Sequence, residues 1–87
     1  MTRDQLRDHV LQALGSVVPE LRPAEIDPSA TLRDQLDIDS MDFINFVIAL
    51  DKSLGVAIPE VDYGELASVD ACVGYLERMM AGRVPPG

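Results

Sequence analysis

The sequence predicts an all-α fold, a bundle of three principal helices plus one short helix, with a long loop between the first and second helices. Two patterns and one limit predict it. Apolar residues recur at three- and four-residue spacing in three separate stretches. Nowhere do apolar and polar residues alternate with the period of two that a half-buried strand requires. The limit is length, since 87 residues make one domain with one small core. Residues 1–82 are expected to form that domain and residues 83–87, with Pro85-Pro86-Gly87, a short flexible tail.

The first helix spans Thr2 to Val18, with Leu6, Val10, Ala13, Leu14 and Val17 as its apolar stripe. Thr2 and Gln5 fit a capping box, Asp4 lies in the first turn, and Pro19 stops the helix. The connection that follows contains Pro19, Pro23 and Pro28, with Leu21 and Ile26 as apolar anchors and a short helical turn at Leu32 to Leu36. A connection this long in so small a domain is functional or packed in place by its own side chains.

The second principal helix runs from Ser40 to Leu54, capped by Asp39 or Ser40 and closed by Gly55. After an extended piece at Val56 to Ile58 and a stop at Pro59, Asp62 and Glu65 fit a second capping box for a short turn through Leu66. Ser68 caps the last helix, whose Val69, Cys72, Val73, Leu76 and Met80 share one face, and Gly82 ends it.

Charge narrows the function. Seven Lys and Arg face fifteen Asp and Glu, a net charge of −8. Between residues 34 and 65 stand Asp34, Asp37, Asp39, Asp42, Asp51, Glu60, Asp62 and Glu65 against Lys52 alone, so the middle third holds nearly the whole excess. Such a surface disfavours nucleic acid and anionic membrane and complements a basic partner. The single cysteine, Cys72, excludes an internal disulfide and reads as a small buried hydrophobe. With neither a signal-like segment nor a spanning apolar run, a cytoplasmic monomer without membrane insertion is expected.

The second principal helix is apolar nearly all round. Phe43, Phe46, Val47, Leu50 and Leu54 form one stripe, while Met41, Ile44 and Ile48 form another. A helix in so small a bundle has neighbours mainly on one side, so the Phe stripe is assigned to the core. The second stripe either packs beneath the long loop or docks a partner, rimmed by Asp42, Asp51 and the acids near Asp62. Ser40, by pattern alone, is a helix cap. No catalytic residue is expected, because the one histidine, His9, lies on another helix and gives Ser40 no base. No resident metal is expected either: were Asp37 and Asp39 the first two ligands of a calcium loop, Met41 and Asp42 would occupy its next ligand and its glycine.

The run Leu36-Asp37-Ile38-Asp39-Ser40-Met41-Asp42, the apolar helix after it, and Gly55-Val56-Ala57-Ile58-Pro59-Glu60 together resemble the acyl carrier proteins. Their pattern is L-G-x-D-S-L-(D/E), a recognition helix and an I-P-(D/E) turn. The likeness extends over nearly the whole chain, so the resemblance implies an acyl-carrier-like bundle and a single carrier domain. It further implies that Ser40, in the Asp39-Ser40 pair, receives 4′-phosphopantetheine from coenzyme A through a separate magnesium-dependent phosphopantetheinyl transferase. The protein is then a carrier of thioesters and not an enzyme. Its implied partners are that transferase and acyl-loading, condensing and acyl-transfer enzymes with basic docking surfaces. Facing them would be Met41, Ile44 and Ile48 as apolar anchors, with Asp42, Asn45, Asp51, Asp62 and Glu65.

Repulsion from Asp37, Asp39 and Asp42 opposes the helix dipole at Ser40, so the arm's phosphate is not expected to be clamped by its own chain. Asp37 stands where the family has Gly, Met41 replaces Leu, Asn45 takes a position often acidic, and Phe43 and Phe46 are bulkier than in fatty-acid carriers. These departures favour polyketide or other specialised acyl metabolism at least as much as fatty-acid synthesis. Two other readings are a peptidyl or aminoacyl carrier and, from a different class, a non-covalent acidic helical adaptor in which Ser40 is only a cap.

Overall fold

A computed structural model describes residues 1–81, so the expected stop at Gly82 and tail over 83–87 lie outside the described residues. Helices α1 (Arg3–Val17), α2 (Leu32–Leu36), α3 (Ser40–Leu54) and α4 (Val69–Ala81) follow one another, with 3-10 segments at Pro23–Glu25 and Glu60–Leu66. No strand occurs among the described residues.

The capping box of α1 forms as expected. Thr2 Oγ1 accepts from the Gln5 N–H at 3.2 Å, and Gln5 Oε1 accepts from the Thr2 N–H at 2.9 Å. Leu6, Val10, Ala13 and Leu14 then turn inward against α3 and α4. Val17 is only partly buried, and Val18 just past the helix end is buried in its place. An Arg3–Glu77 ion pair joins the outer edges of α1 and α4.

The connection before α2 is packed in place by its own side chains. Leu21 and Ile26 rest against the core as anchors. Gln35, which no sequence pattern singles out, latches the loop: its Nε2 donates to the Asp27 carbonyl at 2.8 Å and its Oε1 accepts from the Asp27 N–H at 3.0 Å. Two hydrogen bonds from Ser29 hold the Asp27 carboxyl below the usual carboxylate range. The loop is tied to the far end of the chain by Asp70 N–H to the Pro28 carbonyl and Leu32 N–H to the Ala67 carbonyl, at 2.9 and 2.8 Å.

The core joins α1, α3 and α4 through Leu6, Val10, Leu14, Phe46, Val47, Leu50, Cys72 and Leu76, all essentially inaccessible to water. Each such large apolar side chain contributes roughly 1.5–3 kcal/mol relative to exposure, opposed by the entropy of ordering the chain. Burial pushes the Cys72 thiol up to about 12, which fits a packing role. Met80, expected on the core face, is only partly buried at its edge.

One expected cap does not form. Asp62 and Glu65 make no capping box, because Glu60–Leu66 is a 3-10 helix entered from Pro59 without a side-chain cap. Asp62 instead accepts from the Tyr75 hydroxyl of α4 at 2.6 Å, and Glu65 pairs with Arg78 at 3.4 Å. Long-range partners on α4 outcompete the local backbone. Ser68 does cap α4, its Oγ accepting from the Ala71 N–H at 3.0 Å.

Candidate functional site

The turn between α2 and α3 sets the site. Asp37 ends α2 in the left-handed region, at φ 51°, a conformation open to Gly and to a few short polar residues. Ile38 after it is anchored in the core, and α3 begins two residues later. Of the two cap candidates the structure selects Asp39. Its carboxylate accepts from the Asp42 N–H at 2.8 Å, and Asp42 reaches back toward the Asp39 N–H at 3.5 Å. Ser40 is thus the first residue of α3 and its side chain is exposed, released from capping duty.

Among the described residues the Ser40 hydroxyl has one hydrogen-bond partner. Arg33 of α2 donates to its Oγ through Nη2 at 2.9 Å. Beside this pair a cavity of about 510 Å³ opens between α2, α3 and the Glu60–Leu66 segment, lined chiefly by Leu32, Phe43, Ile44, Tyr63 and Ala67. Phe43 meets Tyr63 edge to face at 6.1 Å and Phe46 at 5.9 Å, so the aromatic wall is continuous with the core. Spacing places the Phe stripe inward, but Arg33 and Tyr63 join the site only through tertiary packing.

The sole histidine stands far from this chemistry. His9 Nδ1 lies in hydrogen-bond contact with Ser53, thirteen residues along α3 from Ser40, which is about 20 Å of helix. No cluster of three or more potential metal ligands occurs among the described residues.

The second stripe of α3 does not pack under the loop. Met41 is 65% exposed, Ile48 43% and Ile44 39%, with Val61 nearby in sequence on the next segment at 90%. Asn45 is exposed as well. Several of the acids expected to face partners also serve the fold: Asp42 completes the α3 cap, Asp51 accepts from the Ile58 N–H at 3.2 Å, and Asp62 and Glu65 meet α4. Each bond engages one carboxylate oxygen. Burial and the adjacent Asp62 carboxylate, with Glu65 and Asp51 beyond it, push the Tyr75 phenol up to about 12.

Among the described residues no helix is long and apolar enough to cross a membrane. The family model described as a phosphopantetheine attachment site matches residues 4–76. An acyl carrier protein of Rhodococcus erythropolis is 27% identical over 78 residues, covering 86% of each chain. A meromycolate extension acyl carrier protein of Mycolicibacterium smegmatis is 26% identical over 76 residues, 84% of this chain and 77% of that one. For the protein of that name in Mycobacterium tuberculosis, the match spans 66% of its length. The solved structure of an acyl carrier protein from Enterococcus faecalis shares the fold, with a TM-score of 0.71 at 24% identity over 87% of this chain and 95% of that one. The family match covers most of the chain, the relatives bear the same name and the helices superpose on the same fold: the chain belongs to the acyl carrier protein family, whose members are phosphopantetheine-bearing carriers and not enzymes.

Proposed function

We propose that Ser40 is the residue on which this carrier bears 4′-phosphopantetheine, and that acyl groups travel on it as thioesters between partner enzymes. The observation that carries the proposal is the exposed Ser40 hydroxyl at the first turn of α3, immediately after a cap that Asp39 alone supplies. The residues present fit a phosphodiester there. The positive end of the α3 dipole favours an anion by roughly 0.3–1 kcal/mol at an exposed site, the hydroxyl is open to a transferase, and a guanidinium already reaches the oxygen.

When attached, the group supplies a terminal thiol on a long arm, the chemistry of acyl activation. Everything else is the chain's part. Asp39 and Asp42 keep the start of α3 wound so that the Ser40 Oγ stays presented. With His9 far away no base acts on that hydroxyl, so its proton is taken by the transferase as the oxygen attacks the β-phosphorus of coenzyme A and 3′,5′-ADP leaves.

The exposed Met41, Ile44 and Ile48, rimmed by Asp42, Asn45, Asp51, Asp62 and Glu65, form the face for basic partner enzymes: the transferase, and loading, condensing and acyl-transfer enzymes. Acids there speed encounter and set orientation, while the apolar anchors prolong it. The cavity lined by Phe43 and Tyr63 shelters the apolar part of the cargo. The protein works as a cytoplasmic monomer in fatty-acid, polyketide or related specialised acyl metabolism. Relatives named for meromycolate extension support including an extension pathway among these.

The test is intact mass after incubation with coenzyme A, magnesium and several broad-specificity transferases. One phosphopantetheine on the wild type and none on Ser40→Ala is expected. An unchanged wild-type mass, or a modified Ser40→Ala, refutes the assignment. Ser40→Ala stays folded, because the cap of α3 is Asp39.

A further inference from the structure

We propose that Arg33 holds the phosphodiester of the arm on Ser40, so that the chain supplies the counter-charge for its own prosthetic group. This rests on the assignment of Ser40 above and adds to it a residue outside the Asp39-Ser40 motif.

The first observation is an anomaly of pairing. Arg3, Arg7, Arg22 and Arg78 each stand at ion-pair distance from a carboxylate. Among the described residues Arg33 finds none, although it borders the most acidic stretch of the chain. Three of the carboxylates close to it in sequence make other contacts: Asp34 accepts from Thr31 Oγ1 at 2.6 Å, Asp39 from the Asp42 N–H, and Asp42 faces the Asp39 N–H. The guanidinium lies instead on a neutral hydroxyl, Ser40 Oγ, at 2.9 Å. A hydroxyl is a weak partner for a group whose planar fork suits two anionic oxygens at once.

The second observation is the backbone that puts Arg33 there. The Asp37 N–H closes α2 on the Arg33 carbonyl at 3.1 Å, and the left-handed backbone at Asp37 turns the chain from α2 into α3 so that Arg33 reaches Ser40. Seven positions of separation in sequence become one hydrogen bond in space. Attachment of the arm converts the oxygen that Arg33 touches into an ester oxygen of a phosphodiester, whose two non-bridging oxygens share one negative charge. Without Arg33 the ionised side chains close to Ser40 in sequence, Asp34, Asp37, Asp39 and Asp42, would all repel that charge.

A third observation gives the contact a direction. Arg33 and Ser40 both line the rim of the cavity that contains Phe43 and Tyr63. An arm held at its phosphate by Arg33 leaves α3 on the α2 side and starts toward that cavity. The hold is salt-labile, because Arg33 is exposed.

The experiment uses the phosphopantetheinylated protein and two variants, Arg33→Gln and Arg33→Lys. Intact mass first verifies one group per chain, and amide spectra verify the fold. The readouts are the ³¹P relaxation of the phosphodiester and its change with salt, together with the ¹⁵N side-chain resonance of Arg33 before and after modification. For an exposed ion pair the ratio of held to free arm should fall about two- to five-fold in Arg33→Gln at low salt. The salt dependence should vanish in that variant and persist, weakened, in Arg33→Lys. Identical phosphorus relaxation and salt response in wild type and Arg33→Gln would overturn this inference while leaving the Ser40 assignment intact. A chain that carries no group on Ser40 overturns both.

Discussion

Helix α3 carries two apolar stripes, and the structure assigns them opposite duties that a pair of truncations can separate. Phe46 is wholly buried, so Phe46→Ala should cost about 3–5 kcal/mol. For a chain of 87 residues the whole stability is on the order of 4–13 kcal/mol, so that loss approaches unfolding. Ile44 stands two positions earlier and is 39% exposed. Truncation to Ala removes three carbons, worth about 2.4 kcal/mol if fully buried at ~0.8 kcal/mol per CH₂, and about 1.5 kcal/mol after allowing for the exposed fraction. No void cost is added, because the side chain borders the open mouth of the cavity. Ile44→Ala should therefore melt about 6–12 °C below wild type and remain folded at 25 °C. Urea unfolding followed by circular dichroism measures both losses. If Ile44 is a docking anchor, kcat/KM of the transferase for the unmodified variant should fall about 5- to 30-fold, as for an interface residue worth 1–2 kcal/mol. A stability loss as large as that of Phe46→Ala would place Ile44 in the core. A loss of about 1.5 kcal/mol with unchanged transfer would leave the stripe exposed but idle. Either result refutes the division of α3.

Two further outcomes follow from contacts made by the acids. Asp51→Ala should destabilise by about 1–3 kcal/mol because the buried Ile58 N–H loses its acceptor, whereas Asp51→Asn, which keeps an oxygen, should lose less; equal losses in urea unfolding would discount that bond. Because the folded Tyr75 holds its proton to about 12 while an unfolded tyrosine releases it near 10, the unfolded chain binds fewer protons between those values, and stability should fall as pH rises through that window. In a Tyr63→Phe background, ultraviolet titration of the one remaining tyrosine should show the raised midpoint, and Asp62→Asn should lower it; a midpoint near 10 in the folded protein would remove the Asp62 contact from this account.

Much of the site was legible because it depends on neighbours in sequence. The start of α3 at Ser40, a cap at Asp39 or Ser40 and the inward turn of Phe46, Val47 and Leu50 follow from spacings of three and four and from local backbone preference, while Phe43 and Leu54 of the same stripe are only partly buried. What depends on distant partners was not legible. Asp62 and Glu65 matched a capping pattern, yet Tyr75 and Arg78, thirteen positions away, hold them. No sequence pattern singles out Arg33 or Gln35. Only the tertiary contacts of Arg33 with Ser40 and of Gln35 with Asp27 give them work.

The sequence by itself determined the helices, their order, the core stripes and the concentration of negative charge around Ser40, because periodicity, capping and net charge are properties of short stretches. Tertiary structure decided which stripe of α3 stays exposed, which acids are occupied by α4, and that a cation stands at the Ser40 oxygen among so many acids. Those outcomes turn on which residues meet across the chain, at Arg33–Ser40, Phe43–Tyr63, Asp62–Tyr75 and Glu65–Arg78, and no local spacing encodes those meetings.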